Sequence, residues 1–119
     1  MRLTKDQILE ARPLPFEDVE VPEWGGTVRV RGLTSAECDE FAASLVIRTN
    51  GGRAQANREL YCAKLLARCL VSASDERLLT EADIHALGRQ SAIVIQRLAL
   101  LAERLSGLQV QAAEDAAKN

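Results

Sequence analysis

The side chains best suited to chemistry are few in this sequence, and they are widely spaced. The chain has one histidine, His85, and three cysteines, Cys38, Cys62 and Cys69. Cys62 and Cys69 are seven residues apart and would share a helix face, but no further cysteine pair or nearby histidine completes the spacing of a zinc site. We interpret the cysteines as reduced thiols that pack as small apolar side chains, and we expect no metal and no cofactor.

Catalytic motifs are also missing from the sequence. There is no Gly-x-Ser-x-Gly elbow, and no glycine-rich phosphate loop precedes a helix. Glu37, Asp39 and Glu40 cluster early in a predicted helix, where acidic side chains usually stabilise the helix dipole. His85 lies in a predicted short helix among small and polar residues, which indicates a solvent-exposed side chain. We therefore expect no catalytic residues and predict that the chain is not an enzyme.

Composition excludes several further classes of function. The 119 residues are 47% hydrophobic and 27% charged, values typical of one globular domain. A net charge of −2 and 3% aromatic residues provide neither a basic surface nor a base-stacking platform for nucleic acid. No apolar run approaches the ~20 residues of a membrane span, and no signal peptide begins the chain. We expect no nucleic-acid partner, no membrane partner and a cytoplasmic location.

The N-terminal third predicts a short helix followed by a β-hairpin. Thr4 and Gln7 have the spacing of a capping box, which predicts a helix over residues 5–11 that the following prolines end. Valines then alternate with polar residues on both sides of a Pro-Glu-Trp-Gly-Gly turn, a pattern typical of a hairpin over about residues 17–32. Because a lone hairpin is marginal in water, its valine face must pack on another element.

The remaining pattern is helical. A capping box at Thr34 predicts a helix that continues as far as Arg48, followed by a polar surface loop over residues 49–57. A helix over residues 57–71 is apolar on most of its circumference, and residues 72–76 predict a turn. Thr80 opens a short helix that Gly88 would close in the left-handed conformation. A last helix extends to Gly107.

These elements predict a mainly α fold, a small helical bundle with an N-terminal β-hairpin and only minor α+β character. We expect residues 1–108 to form a single domain and residues 109–119 to form a flexible or frayed tail. The helix over residues 57–71 and the last helix each have only one narrow stripe of polar residues, a polar seam, along an otherwise apolar surface. Few other elements are available to cover their apolar faces. Since large exposed apolar surfaces mark interaction sites, we expect self-association or the binding of a client protein.

Seven residues are candidate contacts for a partner. Trp24 is either a lid over the small core under the hairpin or an exposed aromatic anchor. The polar face of the hairpin carries Arg29 and Arg31, which are either solvated or face an acidic partner. The polar seam of the last helix contributes the other four candidates, Gln96, Arg97, Glu103 and Arg104.

Several segments resemble the tail assembly chaperones of long-tailed bacteriophages. The most specific is VPEWGGTVRVRGLTSAE over residues 21–37, and LTKDQIL over residues 3–9 is similar too. The runs LLARCLV (65–71), RLLTEAD (77–83) and ALG (86–88) extend the resemblance to about residue 108. The turn at residues 72–76 departs from the Gly- and Asp-rich reversal of that family.

The resemblance implies a non-enzymatic, mainly helical protein that self-associates and acts in the host cell cytoplasm. It implies that the chain coats the long tape measure protein and keeps it soluble until the tail tube polymerises, and that it is absent from the mature virion. A longer form made by ribosomal frameshifting would recruit the tail tube protein, and Lys118-Asn119 is compatible with a slippery AAA-AAC sequence. We expect client helices to bind apolar helix faces.

Two other functions compete with this hypothesis. The helix–Gly–helix unit over residues 80–106 could be a small helix-turn-helix DNA-binding regulator, although Ile93, Val94 and Ile95 stand where a recognition helix needs polar side chains. The other is a structural piece of the particle, such as a head–tail connector.

Overall fold

The computed structural model describes residues 1–56 and 59–108. Helices within these residues are α1 Lys5–Leu9, α2 Ser35–Ser44, α3 Tyr61–Cys69, α4 Ile84–Gly88 and α5 Ala92–Ser106. The strands are β1 Phe16–Val21, β2 Gly26–Arg31, β3 Val46–Arg48, β4 Ala54–Ala56 and β5 Leu70–Val71. Short 3₁₀ turns occupy Pro22–Trp24 and Glu81–Asp83.

The predicted hairpin is confirmed. β1 and β2 pair antiparallel with Val19 opposite Val28, and Val21 and Val30 are fully buried. Cross-strand partners share a sheet face, so these valines form one apolar face directed at the core. On the other side of β2, the short strand β5 continues the sheet with Leu70 opposite Val30.

The prediction of a mainly α bundle is wrong. The order β1–β2–β5 makes a three-stranded antiparallel sheet, and β3 with β4 makes a second, two-stranded one, so the fold mixes helix and sheet. The physical reason lies partly in the residues that follow α3. The chain turns extended at Leu70, where ψ is 118°, and enters the sheet without a break in the apolar run. A two-residue strand is too short to show its own period.

The core lies between the sheet and helices α3 and α5. Helix α3 lies in the middle of the fold, where it contacts α5, α4 and β2 and buries residues 65–69. Helix α5 buries its inner face, including Val94 and Leu98 at 0% exposure, and leaves Ile93 and Leu100 outside. The chain itself therefore covers most of the apolar surface of these two helices, and that surface alone gives no reason to expect a partner.

Two boundaries around the middle of the chain differ from expectation. Helix α2 ends at Ser44 instead of continuing to Arg48, because β3 pairs with β4 there. The expected loop over residues 49–57 is therefore partly strand, and Asn57 lies outside the described residues. Helix α3 begins only at Tyr61 because Leu60 has a left-handed backbone with φ of 57°.

The glycine and capping predictions have mixed outcomes. The capping boxes at Thr4 and Thr34 are confirmed, and Thr80 begins a third one. The end of α5 at Gly107 is confirmed as well, and this glycine has a left-handed backbone with φ of 78°. The left-handed cap at Gly88 is wrong. A Cβ at Gly88 would lie 2.6 Å from the Leu60 side chain, so this glycine permits close packing instead of a reversal. The tail over residues 109–119 lies outside the described residues.

Candidate partner-binding surface

Trp24 is placed by the tight connection between β1 and β2. Pro22 begins the 3₁₀ turn, and Gly25 closes it in the left-handed conformation with φ of 73° while its N–H donates to the Pro22 carbonyl at 3.1 Å. Trp24 is half-buried and packs against the core. This packing agrees with the interpretation of Trp24 as a lid over the core, and its role as an anchor for a partner stays a prediction.

The accessible part of Trp24 lines a concave, mainly apolar site that we name the groove. Its volume is about 460 Å³, which lies within the range of roughly 300–1,000 Å³ seen for ligand pockets. Val28 and Leu70 contribute from the sheet, and Leu78 at the rim is 57% exposed. The remaining lining residues are Leu79, Asp83, Ala86, Leu87 and Gln90.

The two segments beside the groove are acidic. Residues 75–83 carry Asp75, Glu76, Glu81 and Asp83 against the single basic residue Arg77, and the hairpin adds Glu20 and Glu23. Two of these carboxylates are paired within the molecule, Asp75 with Arg31 at 3.3 Å and Glu23 with Arg97 at 3.0 Å, so the other four supply the acidic character. Asp83 accepts from the backbone N–H of Thr80 at 2.8 Å, so part of its hydrogen-bonding capacity is used locally. A site with an apolar lining and acidic neighbouring segments favours a ligand whose contact surface is apolar and flanked by basic groups.

The candidate arginines of the hairpin are held by acidic residues of the chain itself. Arg29 donates to both carboxylate oxygens of Asp18, at 2.8 and 3.1 Å, and its guanidinium lies 4.1 Å from the centre of the Phe16 ring. Hydrogen bonding to Arg29 holds the pKa of Asp18 below its ordinary value. Arg31 is only 11% exposed and pairs with Glu37 at 2.9 Å and Asp75 at 3.3 Å.

The candidate residues of α5 hold the helix to the rest of the molecule. Arg97 pairs with Glu23 at 3.0 Å, and Arg104 pairs with Glu17 at 3.5 Å, so both arginines reach the hairpin. Glu103 accepts a hydrogen bond from the Tyr61 hydroxyl at 3.0 Å. Gln96 is exposed and lines a smaller pocket beside Tyr61. As partner contacts, these four residues remain predictions.

The structure brings only Trp24 of the seven candidates to the groove. Sequence reasoning missed Leu70, Leu78, Leu79 and Leu87, which come from three separate segments. The sequence does contain a signal for two of these leucines. Leu78 and Leu79 follow a polar turn and fit no helical pattern of apolar residues, which is unusual for side chains that only fill a core. The convergence of these leucines with Trp24 depends on tertiary packing, which a local pattern does not contain.

A second pocket of about 380 Å³ is more polar. It is lined by Lys64, Arg68 and His85 together with Glu59 and Glu81, so its charges are nearly balanced. Arg68 is 9% exposed, donates to the Lys64 carbonyl at 3.1 Å and lies 5.7 Å from the centre of the Phe41 ring. Arg68 therefore has its contacts within the chain and acts as a structural residue.

Within the part of the chain that the structure describes, the thiols and acidic groups do not assemble into a metal site. Across the described residues, no three His, Cys, Asp or Glu side chains are grouped closely enough to hold an ion. Burial raises the pKa of Cys69 to about 12, and the pKa values of the half-buried Cys38 and Cys62 are raised by burial as well. No helix in the described parts of the chain has the length and apolar character needed to cross a bilayer.

The DNA-binding alternative is not favoured by the placement of α5. Val94 and Ile95 are buried in the core, and the exposed Ile93 offers an apolar surface where base edges need hydrogen-bonding groups. The Arg97 and Arg104 side chains lie against carboxylates of the hairpin.

Comparison with known proteins gives a match to a family model. A search of curated proteins and a search of solved structures both return nothing similar. A family model described as phage tail assembly chaperone matches residues 15–119 and leaves out only the segment that contains α1. Since the match covers nearly the whole chain, the protein belongs to the family of phage tail assembly chaperones.

Proposed function

We propose that this tail assembly chaperone binds amphipathic helical segments of the tape measure protein in the groove and keeps that protein soluble during tail assembly. Family membership supports the role in tail assembly, and the groove supplies a place for a client helix. The observation that carries the proposal is the half-buried Trp24 beside the exposed Leu78, because aromatic residues in a concave apolar site dominate binding energy at interfaces.

The chemistry of the groove describes the client segment. An apolar stripe at helical spacing would place a few side chains against Leu70, Leu79 and Leu87, as in other helix-in-groove complexes. The acidic segments beside the groove favour basic residues along the edges of that stripe. Because one groove contacts only a short stretch, a long client would be held by many copies acting together.

Several further features of the role belong to this proposal. The protein would act in the host cytoplasm without catalysing a reaction and would leave before the virion matures. A longer frameshifted form would recruit the tail tube protein. The competing role as a head–tail connector predicts instead that the chain is found in purified virions.

The proposal is tested by co-expression with the tape measure protein of the same phage. The soluble fraction of the client should rise with the wild-type chain and fall back with Leu78→Asp, because a charge in the groove opposes apolar contact. Leu100→Asp is the matched control, since Leu100 is equally exposed at 57% but lies on α5 outside the groove. A client that stays insoluble with the wild-type chain would contradict the proposal, and equal loss with both variants would contradict the groove as its site.

A further inference from the structure

The hydrogen bonds between β1 and β2 leave the outer edge of β1 open. The Gly32 N–H donates to the Pro15 carbonyl at 2.8 Å, in the same register that pairs the two strands. Because hydrogen-bonded and non-hydrogen-bonded pairs alternate along an antiparallel ladder, the odd-numbered residues of β1 bond to β2. The N–H and C=O groups of Phe16, Asp18 and Glu20 therefore point away from β2. β1 ends the strand order β1–β2–β5, so no strand in the described part of the chain pairs with these groups.

This open edge selects a ligand by its backbone. One N–H donor and one C=O acceptor recur at every second residue over the six residues of β1. A polypeptide in an extended conformation presents its own donors and acceptors with the same repeat, and an exposed edge of this kind is a template for such a strand. A helix bonds its backbone groups internally and does not satisfy the edge. The ligand that fits is therefore a β-strand.

An apolar pocket lies beside the same edge, between β1 and α5. Its volume is about 340 Å³, and its apolar lining consists of Val19 from the strand with Leu98, Leu100 and Leu101 from the helix. Leu100 is 57% exposed, so the chain covers this apolar surface only in part. Side chains of a strand alternate between its two faces, so every second side chain of an added strand would lie on the Val19 side and contact the pocket. Branched aliphatic side chains such as valine suit both the pocket and a strand.

The charges along β1 indicate what the other face of the added strand carries. Glu17 pairs with Arg104 at 3.5 Å and Asp18 pairs with Arg29 at 2.8 Å, whereas Glu20 is exposed and has no ion-pair partner among the described residues. A basic side chain on the face next to Glu20 would complete a cross-strand pair. A second copy of β1 is a poor partner, because its acidic side chains would lie against those of the first copy.

We infer that the open edge of β1 and the pocket beside it bind an extended segment of a partner protein, in which branched aliphatic side chains alternate with basic ones. The segment would become a fourth strand of the sheet, with its aliphatic side chains in the pocket and its basic side chains beside Glu20. This inference goes beyond the proposed function, because the client helix is assigned to the groove, and the groove and the pocket share no lining residue.

A short synthetic peptide with a repeating Val-Lys sequence tests the inference by calorimetric titration of the full chain. The wild-type chain should bind it. In antiparallel addition the lysine amides bond to β1 and the valine amides face away, so N-methylation of the lysine residues should raise the dissociation constant roughly tenfold or more. N-methylation of the valine residues should have little effect. Equal affinities of the two methylated peptides would overturn the inference.

Variants of the chain test the same contact from the other side. Glu20→Pro removes an outward N–H but no hydrogen bond to β2, and should raise the dissociation constant several-fold above that of Glu20→Ala, which removes only the charge. Leu100→Asn should weaken binding, whereas Ile93→Asn is the matched control, because Ile93 is exposed on α5 but does not line the pocket. Glu20→Pro binding as well as Glu20→Ala would contradict the edge as the site. Thermal unfolding of each variant shows whether its fold is intact.

Hydrogen exchange of the wild-type chain, followed by NMR, needs no variant. The amides of Phe16, Asp18 and Glu20 should exchange faster than those of Glu17 and Val19 in the free chain and should become protected when the peptide is bound. Unchanged exchange at saturation would overturn the inference, and so would a wild-type chain that does not bind the peptide because its edge is already covered. Leu78→Asp should bind the peptide like the wild type, so the proposed function of the groove can fail or succeed separately.

Discussion

Arg97 of α5 and Glu23 of the hairpin turn form a two-bonded ion pair, with nitrogen–oxygen distances of 3.0 and 3.2 Å, across 74 residues of sequence. Glu23 immediately precedes Trp24, so the pair fixes the turn that carries this ring of the groove to α5. A residue predicted to contact a partner thus positions one wall of the groove.

This ion pair predicts a pH dependence of stability. The hydrogen bonds from Arg97 lower the pKa of Glu23 below its ordinary value of 4.5. A lowered pKa in the folded state means that the pair stabilises the fold above pH 4.5 and that this contribution is lost as the pH falls through the lowered value. Arg97→Gln should therefore unfold at a slightly lower temperature than the wild type at pH 7, and the difference should shrink below pH 4.5.

Thermal unfolding from pH 3 to pH 8 measures this effect. Both groups are largely exposed, so the difference should be small and should also weaken at high salt. A difference between Arg97→Gln and the wild type that stays constant across the whole pH range would contradict the role given to the pair.

The close approach of Gly32, which directly follows β2, to α5 predicts a glycine requirement. A Cβ at Gly32 would lie 2.4 Å from the Leu105 carbonyl oxygen and 3.3 Å from Pro15. Backbone atoms cannot move away as a flexible side chain can, so Gly32→Ala should cost about 1–3 kcal/mol in the free energy of unfolding. Gly26→Ala, at the first residue of β2, is the matched control, because nothing lies within 4 Å of its added Cβ.

Urea unfolding of the two alanine variants and the wild type measures these differences in the free energy of unfolding. Gly26→Ala should be unchanged or more stable by up to ~1 kcal/mol, since alanine restricts the unfolded chain more than glycine does. Equal stability of both variants would mean that residue 32 is not packed against α5 as described.

Burial predicts an order of reactivity among the cysteines. Burial raises the pKa of Cys69 to about 12 and shields its sulfur, so this thiol should react with iodoacetamide only when the chain opens. Cys38 and Cys62 are half-buried and should be modified first. Mass spectrometry of the labelled native chain checks the order, and urea-unfolded chain is the control in which all three thiols should react alike. Labelling of native Cys69 as fast as Cys62 would show that the core around α3 is open.

Local signals predicted much of this fold. Capping boxes at Thr4, Thr34 and Thr80 and the alternating valines of the hairpin depend on neighbouring residues, so the sequence displays them directly. The strands β3, β4 and β5 have two or three residues each, and such segments carry no readable period. Their omission is why a mixed fold was predicted as a bundle.

The candidate site was less predictable than the fold. Trp24 was identified because its residue type is rare and often important at interfaces, whereas the leucines around it are common and come from distant segments. Arg97 and Arg104 were predicted to face a partner protein. Their carboxylate partners within the chain lie 74 and 87 residues away in the sequence, so the local pattern does not reveal them. Long-range ion pairs of this kind cannot be read from helical periodicity.

The fluorescence of Trp24 tests the central claim most directly, because it is the only tryptophan of the chain and lies in the groove. Titrating the purified chain with a tryptophan-free helical peptide from the tape measure protein should shift the emission to shorter wavelength in a saturable way, and Leu78→Asp should weaken the binding while Leu100→Asp does not. Binding that leaves the emission unchanged and is equally strong in Leu78→Asp would contradict the groove as the place where this chaperone holds its client.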